Sequence, residues 1–297
     1  MTKIMVDSTC DLPDELIKKY DIKILPLRVL IGDMDYADKK TIQVDDVYSA
    51  MRKGIVPKTS QPNPQEIYEL YNEYCTKGDD FVYLSFSSLL SGTYQLAKLM
   101  LQEFISRYPM LNMKVIDSKG GSTATGLIAL QAAKICEKTE YSFESLVKKI
   151  EDLVSHVEHV FTISDLSWLI KGGRIGKAQG TIGNILDIKP ILHVNDGAME
   201  VIRKVRGRKN ALNAVVDILE ERARNFKDQI IGVSHADDQE TAEELVELIK
   251  KRLGYKDFII NKIGSVLGSH LGIGGVGVFF FNDGLSHKAG FTIDTGV

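Results

Sequence analysis

The chain has 297 residues, with 37 basic and 40 acidic side chains and a net charge of −3, a balance that excludes the electrostatic footprint of nucleic-acid or anionic-membrane binding and leaves small molecules or protein as partners. The length suffices for two domains. Cys10, Cys75 and Cys136 lie far apart and form neither a disulfide framework nor a CxxC motif, no run approaches the roughly 18 apolar residues that span a bilayer, and the charged start lacks a signal peptide's apolar core, so a reducing cytoplasm is the expected location.

In chain order, residues 3–7 read as a buried strand, and Leu12-Pro13 opens a helix to about Tyr20. An apolar run follows from Ile22 to Ile31, then a turn over Gly32 to Tyr36 and helical spacing from Val44 to Met51. Thr59-Ser60-Gln61-Pro62 reads as a loop ending at a helix start, because Asn63 can cap, Pro64 suits the first helical position and Glu66 places an acid in the first turn. Phe81–Phe86 is rich in β formers, and apolar residues recur at helical spacing from Gly92 to Ser106. The loop Ser87-Ser88-Leu89-Leu90-Ser91-Gly92-Thr93 therefore joins a strand to a helix. Another strand at Met113–Ile116 and a helix to Cys136 continue an alternation that calls for parallel βαβ units.

After a helix from Phe143 to His156 the pattern changes. Asp196-Gly197 between β-like runs at 190–194 and 198–205 signals a hairpin. Helix 210–224, strand 229–234, helix 238–252 and strand 257–263 complete a mixed second half. Residues 1–157 are read as one domain, 158–282 as a second, and 283–297 as a polar tail.

Three hydroxyl-bearing loops, at 59–62, 87–95 and 268–272, fall where strands and helices exchange. In α/β proteins such junctions gather at the carboxyl edge of the sheet, where hydroxyls and free N–H groups converge on an anion. Thr59 and Ser60 alone read more readily as helix caps than as ligand groups. Ser91 and Thr93 belong to a denser cluster, with Gly92 allowing close approach. Among six histidines, His270 stands out because Gly268 and Gly272 flank it in a loop. His156 and His159 have i, i+3 spacing, but with no third ligand motif they are read as ordinary histidines and no metal is expected. Gly272 to Gly277 spells GxGxxG yet runs into the strand-like 278–281, so it is not read as a dinucleotide loop.

Seven segments in order resemble the DegV family: 6–12 (VDSTCDL), 59–62 (TSQP), 91–95 (SGTYQ), 115–118 (VIDS), 171–176 (KGGRIG), 188–192 (IKPIL) and Ser269-His270. The resemblance spans about residues 3–281. It implies a three-layer α/β/α domain with a parallel sheet plus a two-layer α/β domain with a mixed sheet, and a long-chain fatty acid bound between them. It further implies a carrier, not an enzyme, of the FakB type, presenting the carboxylate to a fatty acid kinase subunit for acyl-phosphate formation, with ATP and Mg²⁺ on the partner and transient membrane contact for lipid exchange. Thr59, Ser60, Ser91, Gly92, Thr93 and His270 would hold the head group, and Arg174 and Arg206 would face the kinase. Leu271 and Ile273 depart from the small or polar residues of close relatives, which bears on the pocket mouth and acyl preference. The competing reading is a dihydroxyacetone-kinase-like substrate subunit that holds a small carbonyl compound on His270, and a ligand-gated interaction protein is a third.

Overall fold

A computed structural model describes residues 2–137, 141–175 and 187–286. Its first half begins with β1 (Lys3–Asp7), α1 (Asp14–Lys19) and β2 (Lys23–Leu25), followed by a small excursion of β3 (Arg28–Ile31), β4 (Met34–Ala37), α2 (Val44–Arg52) and β5 (Lys58–Ser60). Then come α3 (Pro64–Lys77), β6 (Phe81–Ser85), α4 (Thr93–Arg107), β7 (Met113–Asp117), α5 (Ser122–Glu137) and α6 (Phe143–His156).

Strands β2, β1, β6 and β7 form, in that order, an all-parallel sheet. Every residue of β6 is buried, as expected for a strand covered on both faces. Met5, Phe81 and Tyr83 point to one side, where they pack with Tyr71 of α3 and Phe104 of α4. Ile4, Val6, Val82 and Leu84 alternate to the other side, against Leu127 and Ile128 of α5 and Ile150 of α6. These are the three layers that the family resemblance implies.

The second half contains β8 (Val157–Thr162), α7 (Ser167–Lys171), β9 (Ile188–Asn195), β10 (Ala198–Arg206), α8 (Arg208–Arg222), β11 (Ile231–His235), α9 (Gln239–Leu253), β12 (Phe258–Lys262), α10 (Ser265–Leu271), β13 (Val276–Phe281) and α11 (Asp283–Ser286). Its sheet runs β10-β9-β8-β13-β11-β12, antiparallel except for the parallel pair β11 and β12. Helices α8 and α9 cover one face through Val215, Leu219, Leu245 and Ile249. The expected hairpin is β9–β10, with both Asp196 and Gly197 at positive φ (47° and 90°), the geometry of a two-residue type I′ turn.

Helix α5 joins the two halves. It touches β1 and α6 on one side and β8, β11 and β13 on the other. All thirteen residues from Ser122 to Lys134 are buried, so a helix without a polar face is what this position requires.

Several local expectations are corrected. The run Ile22–Ile31 is two strands in two sheets, interrupted where Pro26 removes a ladder donor. Only Gly32-Asp33 forms the expected turn; Met34 to Ala37 pair with β3, and β4-β3-β5 make a third, antiparallel sheet. Thr59 and Ser60 therefore lie on strand β5, not on a loop. His270 lies in the last turn of α10, not on a loop, and Gly272 at φ 79° ends that helix. Residues 283–286 of the expected tail form a helical turn with Leu285 fully buried. Residues 287–297, including His287, and Gly176 of the KGGRIG segment lie outside the described residues.

Candidate head-group site and acyl cavity

The carboxyl edge of the parallel sheet, the small antiparallel sheet and the mixed sheet enclose a cavity of about 270 Å³. Thr59, Ser60, Ser91, Gly92, Arg174 and His270 all line it. They arrive from β5, the β6–α4 loop, the end of α7 and α10, segments up to 211 positions apart in the chain.

The capping that the sequence suggests holds locally: the Asn63 side chain accepts from the Gln65 N–H at 2.9 Å, with Pro64 at the first helical position. Because Asn63 performs that task, the Thr59 and Ser60 hydroxyls are not needed as caps. Thr59 Oγ1 instead lies 2.7 Å from His270 Nε2. Ser91 Oγ lies 2.8 Å from Thr93 Oγ1 and accepts from the Thr93 N–H at 3.3 Å. Thr93 itself is fully buried and does not line the cavity; it fixes Ser91 from behind.

His270 is desolvated by burial, and the neighbouring Arg174 guanidinium also opposes its protonation, so its pKa falls from 6.5 to about 4. The ring is neutral at physiological pH. Its Nδ1 has no partner among the described residues and rests against Gly172, where a Cβ would come within 2.2 Å. With Nε2–H donating to Thr59, the threonine proton is free for an anion. Gly268 serves a different purpose from flexibility: a Cβ there would lie 2.5 Å from the Tyr48 hydroxyl oxygen, which packs α2 against α10 and donates to Ile263 O at 3.0 Å.

Arg174 lines the cavity while donating through Nη1 to Gly172 O at 2.5 Å and through Nε to Leu90 O at 3.4 Å. It ties the end of α7 to the serine-rich loop. Arg206 ends β10, exposed and outside the cavity lining.

The remaining wall is chiefly apolar, with Phe86, Phe161, Leu169, Met199, Leu267 and Phe279 contributing. Leu271 lines it as well, so that departure from the family pattern falls on the cavity wall itself. Four further polar residues that the sequence does not single out for the site reach the cavity: Gln61, Ser122, His159 and Thr162. Gln61 follows Thr59 and Ser60 in the same segment, and its side chain abuts Gly92, where a Cβ would sit 3.2 Å from Oε1. His159 shares a face of β8 with Phe161, a period-2 relation visible once the strand is known. Among the described residues, no helix is long and apolar enough to cross a membrane.

Comparison with known proteins agrees with this architecture. The sequence model of the DegV family, described as uncharacterised proteins, matches residues 1–283. A fatty acid-binding protein of Thermotoga maritima is 35% identical over 282 residues, covering 93% of this chain and 96% of the relative. Protein DegV of Bacillus subtilis is 30% identical over 278 residues, covering 93% and 97%. Among solved structures, a stearic acid-binding protein from Eubacterium ventriosum superposes with a TM-score of 0.88 at 29% identity, covering 95% of this chain and 98% of that one. A fatty-acid-binding DegV family protein from Thermus thermophilus gives 0.87 at 29% identity, covering 95% and 99%.

Proposed function

This chain belongs to the DegV family, and from that premise we propose that it binds a long-chain fatty acid in the cavity and presents the carboxylate to a fatty acid kinase subunit. The observation that carries the reading is the asymmetry of the cavity: hydroxyls, a neutral imidazole and one guanidinium gather around Thr59 and His270, and the rest of the wall is chiefly apolar. At about 0.8 kcal/mol per buried CH₂, a chain of about sixteen carbons contributes roughly 10 kcal/mol of gross burial. Neutral donors then need only orient the head group.

In this reading the protein is a cytoplasmic carrier and not itself the catalyst. ATP and Mg²⁺ belong to the kinase subunit, and Arg206, exposed on the β10 end, belongs to the docking surface. Exchange of the lipid would take place by transient contact with a membrane.

Mass spectrometry under native conditions tests the ligand. A released fatty acid supports the carrier, whereas a covalent small carbonyl adduct on His270, with no extractable lipid, supports the dihydroxyacetone-kinase-like alternative. Reconstitution with a fatty acid kinase subunit, ATP and Mg²⁺ tests the partnership: Arg206→Ala should spare fatty-acid binding and slow acyl-phosphate formation, because a rim charge acts mainly on encounter. Loss of lipid binding in that variant would remove Arg206 from the docking role.

A further inference from the structure

Besides the head-group end, the cavity contains a second polar locality where α5 begins. The segment Gly120-Gly121-Ser122 leads into that helix, and Gly121, Ser122, His159 and Phe279 all line the same cavity as His270. An acyl chain anchored at His270 therefore shares its space with these groups.

His159 is seated there by two features of the sequence. Its strand position puts it on the cavity face of β8, edge-on to Phe279 with ring centroids 5.8 Å apart. Gly120 makes room for the ring, since a Cβ at that position would lie 2.1 Å from Nε2. Nε2 in turn accepts the Gly121 N–H at 3.4 Å. Complete burial lowers the pKa from 6.5 to about 3, so the ring is neutral. A neutral imidazole that accepts at Nε2 carries its proton on Nδ1. That Nδ1–H is buried and has no partner among the described residues. A donor left unpaired against hydrocarbon is a standing penalty, which a ligand acceptor would relieve.

Ser122 supplies the complement. It is a non-glycine residue at φ 55°, held by its N–H donating to Thr9 O at 2.9 Å, a strained conformation of the kind that accompanies binding sites. Its Oγ donates to Asp11 Oδ2 at 2.6 Å, so the hydroxyl proton is committed while the oxygen retains accepting capacity.

We propose that His159 and Ser122 form a second polar station that selects fatty acids bearing an in-chain hydroxyl, whose oxygen accepts from His159 Nδ1–H and whose proton goes to Ser122 Oγ. The inference rests on the fatty-acid reading above and names the substrate class for the same cavity. An alcohol matches this pair because it donates and accepts at one atom; a saturated chain does neither. An alkene offers only the weaker N–H···π contact.

The test is a set of binding titrations on delipidated protein with stearate and with hydroxystearates differing only in hydroxyl position. One positional isomer should bind about 5- to 10-fold tighter than stearate, with neighbouring positions falling away. In His159→Phe, which keeps an aromatic ring, that preference should vanish or invert. Independently of how the variant folds, the His159 Nδ1–H resonance of ¹⁵N-labelled wild type should shift with the preferred isomer and not with stearate. If wild type binds stearate but every hydroxystearate more weakly, or if the preference survives in His159→Phe, the station is wrong. If no acid binds at all, stearate included, the fatty-acid reading falls and the inference with it.

Discussion

The contact between Thr59 Oγ1 and His270 Nε2, at 2.7 Å, predicts that the two residues act on the carboxylate as a unit. Thr59→Val keeps a β-branched residue on β5 and removes only the hydroxyl, while His270→Gln keeps a donor but not the imidazole geometry. A hydrogen bond to an ionised head group is worth about 1.5 to 3 kcal/mol, so losing either the Thr59 hydroxyl or the imidazole that turns its proton toward the anion should weaken palmitate binding by up to roughly 10- to 150-fold. The two losses should not add. Thr59→Val also frees His270 from the bond that orients it, so much of the benefit of the imidazole disappears with the threonine. A double-mutant cycle measured by calorimetry should give a coupling of about 1 kcal/mol, outside the roughly 0.3 to 0.5 kcal/mol scatter of independent sites. Hexadecanol serves as a control ligand with the same chain and no carboxylate, and it should lose much less affinity than palmitate in all three variants. Additive losses would mean that the pair is not one clamp. Equal losses for acid and alcohol would mean that these residues support the cavity wall and not the head group.

Gly172→Ala would place a methyl 2.2 Å from His270 Nδ1, and since the backbone there is already helical at φ −75°, the strain falls on the imidazole. The displaced ring should cost about 1 to 3 kcal/mol of stability and weaken palmitate binding as well; an unchanged isotherm would show that the ring position is not critical. Burial raises the Asp11 carboxyl from its ordinary 3.8 to about 6. A carboxyl raised on folding loses stability as pH climbs through that window, because the unfolded chain releases its proton first. Asp11→Asn should therefore gain on wild type by up to about 3 kcal/mol between roughly pH 4 and pH 6, less whatever its hydrogen bonds lose, and the difference should then level off. Urea unfolding at several pH values reads this directly, and a pH-independent difference would refute it.

Much of the fold is written in local signals. The parallel strands are short apolar runs, α3 begins at a capping asparagine followed by proline, and Asp196-Gly197 supplies the residues an I′ turn demands. Where the reading slipped, the deciding information lay elsewhere in the chain. Thr59 and Ser60 are strand residues only because Val29 and Arg28 pair with them, and nothing near residue 59 announces that partner. The short helix carrying His270 is fixed by Tyr48 across the cavity wall and by the Asp11 carboxylate accepting from the Gly264 N–H at 2.9 Å, contacts separated by more than two hundred residues. His159 stands out in the sequence only by its i, i+3 spacing from His156, which says nothing of a cavity. Its importance arises from facing the cavity on β8 opposite a glycine, a relation that exists only after the two sheets meet across α5.

The charges of the site also bear on what a carrier must do. A buried carboxylate is costly to desolvate unless it is paired or hydrogen-bonded, and a free lysine or arginine at the head would meet that need most strongly. Arg174 is the cationic side chain lining the cavity among the described residues, and its guanidinium is already engaged by the carbonyls of Gly172 and Leu90. His270 cannot add a second charge, because burial and Arg174 together hold it neutral. The head group is thus met mainly by hydroxyl donors, with the neutral imidazole holding the Thr59 oxygen so that its proton points to the anion. On the proposed function, such donors would serve both a carboxylate and the acyl phosphate derived from it without a tight ion pair that has to be broken in between. Affinity then resides in the apolar body, which phosphorylation leaves untouched. On the proposed function, that division lets the chain keep its hold on the lipid while the chemistry proceeds at the exposed end, and it places the adjustable part of ligand choice along the walls of the cavity.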